Sequence, residues 1–196
     1  MPISMNRGQP LPTILVVGGK YSFRPFDEND LALIKEASRD ERITSITTVP
    51  PVGQYSYETG LAFIARQEQR RLDGLGWSLA ISQSGTAIGH IGLWLPQVDG
   101  GPASIGYWVT ASERGNKASV AAVTVLSRWA FQNLEIDEVV LFIDPLNWPS
   151  KRTAYRSGFT PTGTVKHSPG EGIPAETMIR YSLLRSGKGK SQIPEA

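Results

Sequence analysis

The chain has 196 residues, of which 40% are hydrophobic and 19% charged, which is the composition of one globular domain with a substantial core. It contains no cysteine, which excludes a disulfide scaffold and thiolate metal ligands. The formal net charge is only +2, so charge does not indicate a nucleic-acid partner. Its two histidines, His90 and His167, lie far apart in the sequence, and we expect no metal site.

The two ends of the chain are expected to add little to the core. Residues 1–12 contain no apolar run of the length that a signal peptide needs, and no stretch is long enough to span a membrane. We therefore expect a cytoplasmic protein without a membrane partner. Residues 1–19 are interpreted as an N-terminal extension with a short strand, 20–185 as one domain and 186–196 as a disordered polar tail.

The first half of the chain is predicted to hold two hairpins and two helices. Gly18 and Gly19 supply the turn of the first hairpin, and Asp27 is placed to cap the first helix. The predicted elements are strands over 13–17 and 21–26, helices over 27–37 and 57–72, and strands over 77–82 and 87–95. In the second helix, the residues spaced as helix faces are Leu61, Ile64, Ala65 and Glu68.

The second half is predicted to contain a strand, a long helix and a strand parallel to the first. The segment 138–143 is continuously apolar, which is typical of a buried parallel strand. The predicted elements are strands over 103–109 and 138–143, helices over 116–134 and 150–156, extended chain from 159 and a strand over 177–184. The expected fold is α/β, a mixed and mostly antiparallel sheet with one central parallel β-α-β crossover of right-handed connection and flanking helices.

The most informative segment runs from Ile105 to Ser119, where a strand ends in a polar loop that leads into the long helix. The first N–H groups of a helix have no partner within it, and the helix dipole favours an anion at that end. The segment therefore predicts a phosphate-binding loop.

Four segments together resemble the GNAT superfamily of N-acetyltransferases and, within it, the RimJ/RimL-like branch. They are residues 23–31, 105–109, 114–119 and 147–159, and the resemblance covers about residues 20–185. It implies the GNAT fold, with acetyl-CoA bound between the strand that ends at Val109 and the strand that ends at Ile143. It also implies that the backbone near Trp108 and Val109 bonds the pantetheine arm.

The resemblance further implies that the pyrophosphate of the cofactor rests on residues 114–119. Lys117 stands where the family pattern has its central glycine, and Ser119 stands at its final small residue. A Cβ obstructs a close approach of backbone to phosphate, whereas a lysine ammonium is itself a good partner for phosphate. Retained and weakened cofactor binding both stay open. The implied cofactor-binding residues are Trp108, Val109, Arg114, Gly115, Asn116, Lys117, Ala118, Ser119, Asn147 and Ser150.

Residues at the start of the last helix carry the implied chemistry. In the related proteins the residue matching Ser150 lies beside the cofactor sulfur and the residue matching Asn147 contacts the cofactor, so Ser150 is the expected proton donor to departing CoA. The alternative is that both residues cap the helix. The tyrosine acid of many GNAT enzymes corresponds here to Ala154, and its neighbour Tyr155 is expected to pack. Lys151 and Arg152 are either contacts of the 3′-phosphate or ordinary surface charges.

The general base is less well defined. Related sequences carry carboxylates at the positions of Ser104 and of the segment around His167, and this chain has neither carboxylate. His90 and His167 are candidate bases because imidazole titrates near neutrality, and a structural role is the alternative for each. Glu171 and Glu176 are further candidates.

Four aromatic residues are placed near the expected cleft, and they either pack or bind an acceptor with a ring-like surface. They are Trp94, Tyr107, Trp108 and Trp148. The resemblance implies direct transfer of acetyl to an amine, without an acyl-enzyme, and a protein N-terminal α-amine or a small-molecule or antibiotic amine as acceptor. A GNAT-fold protein that binds an acyl-CoA or another ligand without transfer is the alternative. The hypothesis of a nucleic-acid-binding module is supported only by the pI of about 8.9. A homodimer is left open.

Overall fold

The computed structural model describes residues 8–96, 98, 100–168 and 173–185, and these form one eight-stranded sheet with helices on both faces. The strands are β1 (Val16–Gly18), β2 (Tyr21–Arg24), β3 (Gly76–Gln83), β4 (Thr86–Trp94), β5 (Ala103–Val109), β6 (Glu138–Ile143), β7 (Thr160–His167) and β8 (Glu176–Leu184). The α-helices are α1 (Leu31–Ala37), α2 (Glu41–Thr44), α3 (Tyr57–Leu72), α4 (Ala118–Asn133) and α5 (Trp148–Arg156).

The strands lie in the order β1-β2-β3-β4-β5-β6-β8-β7, and every neighbouring pair is antiparallel except β5 and β6. The helix α4 connects these two parallel strands. The predicted fold class, a mostly antiparallel sheet with one central parallel crossover and flanking helices, is confirmed.

Each face of the sheet has its own core. On the α4 face, Ala122 and Leu126 of α4 belong to the large apolar cluster that includes Ile91 and Ile105 of the sheet. On the opposite face, called here the α1–α3 face, a smaller cluster joins residues of α1 and α3 with Trp108 of β5. Because side chains alternate between the faces of a strand, each residue of β4 and β5 can be assigned to one face.

Most predicted elements are confirmed, and their ends differ for local reasons. Helix 57–72 and strands 103–109 and 138–143 have the predicted bounds. Helix α4 begins at Ala118 instead of 116 because Lys117 has a left-handed backbone. Helix α5 begins at Trp148 instead of 150 because Asn147 caps it. The short helix α2, capped by Asp40, was not predicted.

The buried side of α3 includes a polar residue. The residues of α3 that are buried are Gly60, Phe63 and Gln67, whereas Ala65 and Glu68, two of the residues spaced as helix faces, are exposed. Gln67 is buried because its polar groups are paired: its amide donates to the carbonyl oxygen of Phe63 over 2.8 Å and its Oε1 accepts from Ser78 over 2.8 Å. A hydrophobicity pattern does not register a buried residue whose polar groups are paired inside the protein.

The parallel strands β5 and β6 separate soon after they meet. They pair only through Ala103 with Val139 and Ser104 with Val140. Beyond Ser104, β5 continues to pair with β4, and beyond Val140, β6 continues to pair with β8. The facing edges of β5 and β6 therefore leave a gap in the sheet, called here the fork. Among the described residues, no helix is both long enough and apolar enough to cross a membrane.

Candidate active site

The edge of β5 that borders the fork has backbone groups without a strand partner among the described residues. Thr110 donates its N–H to the carbonyl oxygen of Ile88 beside β4, over 3.1 Å. Backbone groups alternate between the two edges of a strand, so the N–H and C=O of Trp108 face β4 as well. The corresponding groups of Tyr107 and Val109 face the fork. Of the two residues expected to bond a pantetheine arm, Val109 presents its backbone to the fork, whereas Trp108 presents its own to β4.

The loop after β5 makes two left-handed turns before α4 begins. Gly115 has a φ of +84° and Lys117 a φ of +62°. The second value is uncommon for a residue with a Cβ and costs about 1–2 kcal/mol relative to glycine. Lys117 thus has the left-handed backbone conformation that the glycine of the family pattern would readily adopt. Its side chain is exposed, and the N–H groups of the first turn of α4 follow it directly.

Side chains from distant elements hold this loop in place. The hydroxyl of Tyr21 on β2 donates to the carbonyl oxygen of Asn116 over 3.1 Å. Ser112 donates to Glu36 of α1 over 2.8 Å, and Arg114 forms an ion pair with Asp40. The loop that was expected to bind phosphate is therefore tied to the α1–α2 segment on the other face of the sheet.

The start of α5 lies beside the fork on the α4 face. Asn147 caps this helix, because its Oδ1 accepts from the N–H of Ser150 over 3.2 Å. The capping role considered for Asn147 is thus present, and the side chain of Ser150 forms a hydrogen bond with the phenol of Tyr107. The phenol of Tyr107 on β5 donates to the carbonyl oxygen of Ser150 over 3.4 Å, and this contact connects the helix start to the fork. Burial raises the pKa of Tyr107.

Further side chains of α5 that were considered from the sequence lie towards its surface, whereas Ala154 is buried. Tyr155 packs edge-on against Tyr181, with ring centroids 5.6 Å apart, as expected for a packing residue. Lys151 binds the carbonyl oxygen of Pro145 and lies 4.2 Å from the ring centroid of Trp148. Trp148 is 67% exposed, and Arg152 is also exposed.

His90 is buried on the α1–α3 face and belongs to a hydrogen-bonded chain. Its Nε2 lies 2.7 Å from the hydroxyl of Ser78, and that hydroxyl donates to Oε1 of Gln67 over 2.8 Å. Because Ser78 has one proton to give, Nε2 of His90 carries the proton that it shares with Ser78. Nδ1 is buried without a partner among the described residues. Burial first, and then the charge of Arg70, lower the pKa of His90 to about 3.

His167 has a more open environment at the end of β7. Its ring stacks on Phe142 of β6, with centroids 3.8 Å apart and planes 22° apart. Phe142 lies two residues beyond Val140, the last residue of β6 that pairs with β5, so His167 borders the other side of the fork. Partial burial lowers its pKa. Glu176 stands directly opposite His167 in the β7–β8 register, and Glu171 lies outside the described residues.

The four aromatic residues expected near the cleft do not form one cluster. The pairing of β4 with β5 places Trp94 and Trp108 on the α1–α3 face. Tyr107 packs on the α4 face below α5, and Trp148 is largely exposed. The expectation of a single aromatic group is wrong because neighbouring residues of a strand point to opposite faces. Of these four residues, only Trp94 and Trp108 lie on the same face of the sheet.

Several residues that shape this region were missed at the level of sequence. They are Glu36, Asp40, Gln67, Arg70, Ser78 and Phe142. Asp40 alone carried a local signal, because an acidic residue before a short helical segment is a common cap. The others act through contacts between distant parts of the chain. Among the described residues, no group of three or more side chains of the types His, Cys, Asp and Glu could hold a metal ion.

Comparison with known proteins agrees with this geometry. The family profile of the acetyltransferase (GNAT) domain matches residues 21–160, which is well over half of the chain. The chain belongs to the GNAT acetyltransferase family. It is an acyltransferase by this membership, and no curated protein matches its sequence.

Solved structures share the fold at low sequence identity. RimJ of Mycobacterium smegmatis, in complex with CoA-disulfide, is 16% identical with a TM-score of 0.74, and the match covers 94% of this chain and 92% of that one. RimL, a ribosomal L7/L12 α-N-protein acetyltransferase in complex with coenzyme A, is 17% identical with a TM-score of 0.73, and the match covers 87% of this chain and 98% of that one. The microcin C7 self-immunity acetyltransferase, in complex with acetyl-CoA and AMP, is 18% identical with a TM-score of 0.71, and the match covers 85% of this chain and 93% of that one.

Proposed function

We propose that the protein transfers acetyl from acetyl-CoA to a primary amine by direct attack. The observation that carries this proposal is the fork itself: a free backbone edge on β5 leads into a loop that ends at the N-terminus of α4. Such an arrangement can bond an extended amide chain along the strand edge and an anion at the helix start. Pantetheine and pyrophosphate are joined in this order in acetyl-CoA.

Cofactor binding is assigned mainly to backbone groups. We assign the pantetheine amides to the fork-facing groups of Tyr107 and Val109, and the pyrophosphate to the N–H groups of residues 115–119. Lys117 supports this assignment, because it has the left-handed backbone that a glycine would have there. Its exposed ammonium and the guanidinium of Arg114 would add charge beside the phosphates.

In the reaction, the amine nitrogen attacks the carbonyl carbon of the thioester, and the carbon–sulfur bond breaks as the amide forms. The departing thiolate takes a proton, which we assign to the hydroxyl of Ser150; Ser150 takes a proton back from solvent, and the amine loses one. The chain has no cysteine that could form an acyl-enzyme, which agrees with direct attack.

The proton of the amine is assigned to His167 in preference to His90. An α-amine has a pKa of about 8, so a weak base is sufficient. His167 is half-buried and borders the fork, so that a proton it accepts can pass to solvent. Nδ1 of His90 is sealed from solvent, and its imidazole is neutral at physiological pH. His90 is better suited to a fixed hydrogen-bonding role.

The acceptor class stays broad at this level. RimL is named for acetylating the α-amine of a ribosomal protein, and the microcin enzyme was solved with a nucleotide. We propose a protein N-terminal α-amine or a small-molecule amine as the acceptor and the cytoplasm as the compartment.

The test is release of CoA from acetyl-CoA in the presence of a panel of amines and peptides. Ser150→Ala should lower kcat about 100-fold, as expected for loss of a general acid, and should leave the Kd of acetyl-CoA within about threefold. Ser157→Ala, at the other end of α5, is the matched control, because its hydroxyl donates to the carbonyl oxygen of Val120. It should leave kcat unchanged.

Two outcomes would count against the proposal. If kcat of Ser150→Ala equals that of the wild type, Ser150 is not the proton donor. If the protein binds acetyl-CoA but no acceptor in the panel releases CoA, the protein is a ligand-binding member of the family that does not transfer acetyl.

A further inference from the structure

Two glycines face each other on the α1–α3 side of the sheet. In the antiparallel pairing of β4 with β5, Gly92 stands directly opposite Gly106. On the same face, His90 stands opposite Trp108 on one side of this pair, and Trp94 stands opposite Ser104 on the other. The glycine pair is therefore a floor without side chains between two walls, and we call it the glycine notch.

The glycine notch lies at the opening of the fork. Ser104 is the last residue of β5 that pairs with β6, through Val140. Gly106 is the next residue of β5 on the same face, so it borders the gap where the strands separate. An amine that approaches from the α1–α3 face to attack a thioester held in the fork would pass over this floor.

The indole of Trp94 covers the Gly92 half of the floor and leaves the Gly106 half open. A Cβ added at Gly92 would lie 2.5 Å from Cζ2 of this indole, so no other residue fits at position 92 while Trp94 keeps its place. A Cβ added at Gly106 would lie 3.7 Å from Nε1 of Trp94, which is an ordinary contact. Position 106 therefore has room for a side chain and has none.

The walls of the notch are aromatic, with one cation beside them. Trp108 lies 5.8 Å from His90 between ring centroids, and the guanidinium carbon of Arg70 lies 5.1 Å from the ring centroid of Trp94. The half-buried indole of Trp94 beside the open Gly106 half of the floor favours a planar apolar group, which can stack or pack edge-on. The charge of Arg70 disfavours a second ammonium group on the same ligand.

We propose that Trp94, Trp108 and the Gly92–Gly106 floor form the acceptor pocket and select a primary monoamine that carries an aromatic or other planar group close to its nitrogen. This inference rests on the proposed acetyl transfer at the fork. It makes Trp94 and Gly106 specificity-determining residues, while the cofactor is held elsewhere.

The test compares two amines with the same carbon skeleton, the planar 2-phenylethylamine and the non-planar 2-cyclohexylethylamine. The wild type should favour the planar amine about tenfold or more in kcat/KM, the range that a single well-fitted group contributes. Trp94→Ala should remove this preference, and Trp94→Phe, which keeps an aromatic wall, should restore most of it. The Kd of acetyl-CoA should stay within about threefold in both variants.

Gly106→Ala probes the floor without disturbing the fold, since its Cβ meets Trp94 at contact distance. It should lower kcat/KM for 2-phenylethylamine about tenfold and leave the thermal unfolding midpoint unchanged. Equal use of the two amines by the wild type, or an unchanged preference in Trp94→Ala, would overturn the inference.

Failure of the proposed function is distinguished by a measurement of binding alone. If the wild type binds acetyl-CoA and transfers to other acceptors of the panel but to neither amine, the inference is overturned and the acetyl-transfer proposal stands. If it transfers to no acceptor of the panel, the acetyl-transfer proposal fails. Line broadening of 2-phenylethylamine in NMR spectra, recorded with CoA present, then tests the pocket. Broadening that is lost in Trp94→Ala supports the pocket; broadening that persists there, or no broadening with the wild type, overturns it.

Discussion

The two sides of the fork are built from different parts of the chain. On the α4 side, the candidate cofactor site consists of backbone groups: the edge of β5, the loop at Gly115 and Lys117, and the start of α4. On the α1–α3 side, the candidate acceptor site consists of side chains, above all those of His90, Trp94 and Trp108.

This difference predicts that substitution has unequal consequences on the two sides. A site made of backbone groups depends on φ and ψ, so Lys117 can replace a glycine as long as it takes the same left-handed conformation. A site made of side chains changes with each residue that lines it. We therefore expect the α4 side to carry the properties common to the family and the α1–α3 side to carry the properties of this protein.

The largest expected effect concerns acid stability on the α1–α3 side. The pKa of buried His90 is lowered to about 3 in the folded protein, whereas an unfolded histidine has a pKa of about 6.5. The unfolded chain therefore takes up a proton that the folded protein does not. This contribution to stability is fully present above about pH 6.5 and is lost as the pH falls towards 3, by about 2 kcal/mol at about pH 5.

The measurement is denaturant unfolding at several pH values for the wild type and His90→Asn. The variant should lose less stability than the wild type on acidification to about pH 5, because the titrating group is gone. His167→Asn is the control, since His167 is only half-buried. Its loss of stability on acidification should resemble that of the wild type. Parallel curves for the wild type and His90→Asn would contradict the assignment of a buried neutral imidazole.

The next effect tests the backbone origin of the α4 side. Gly115 has a φ of +84°, and no atom lies within 4 Å of a Cβ placed there. Gly115→Val should therefore cost only conformational energy, about 1–2 kcal/mol in the free energy of unfolding, and should weaken acetyl-CoA binding about tenfold as the loop shifts.

The matched control is Asn116→Ala, which removes a neighbouring exposed side chain and leaves the carbonyl oxygen that Tyr21 binds. It should change the Kd of acetyl-CoA by less than about threefold, since solvent-exposed side chains contribute little. If the two variants weaken binding equally, side chains and not backbone groups hold the cofactor.

The smallest effect concerns the link between the two sides. Asp40 caps α2 through Oδ1, which accepts from the N–H of Arg42 over 3.0 Å, and pairs with Arg114 through Oδ2. Asp40→Asn keeps the capping oxygen and removes the charge, so the stability should fall by less than about 1 kcal/mol. Arg114 is then free to meet phosphate, and acetyl-CoA should bind about two- to fivefold more tightly.

Glu41→Gln, the adjacent carboxylate in the first turn of α2, controls for the loss of one negative charge near this helix. It should leave the affinity unchanged. Weaker binding by Asp40→Asn would instead mean that the ion pair positions the loop for the cofactor.

Sequence patterns captured the elements of this protein better than its sites. The bounds of α3, β5 and β6 follow from periodicity and apolar runs, which are local properties. The left-handed backbone at Lys117 could not be read from its residue type, because among common residues only glycine favours it without strain. The family pattern alone indicated it, as the position of a missing glycine.

Contacts between distant residues explain the rest of the difference. Asp40 and Arg114 are 74 positions apart, and the chain from His90 through Ser78 to Gln67 joins two strands and a helix. The facing glycines at 92 and 106 become visible only when the register of β4 and β5 is known. Such contacts are set by packing, which no single segment of sequence specifies.

The most direct test of a cofactor site made of backbone groups is calorimetric titration of acetyl-CoA into the wild type and Lys117→Gly. We expect both to bind with Kd values within about threefold. We expect the glycine variant to be more stable by about 0.5–1 kcal/mol, because the relief of about 1–2 kcal/mol of left-handed strain is partly offset by the larger conformational entropy that glycine loses on folding. No binding by the wild type, with binding gained by Lys117→Gly, would show that the lysine side chain blocks the site and would contradict the proposed acetyl transfer.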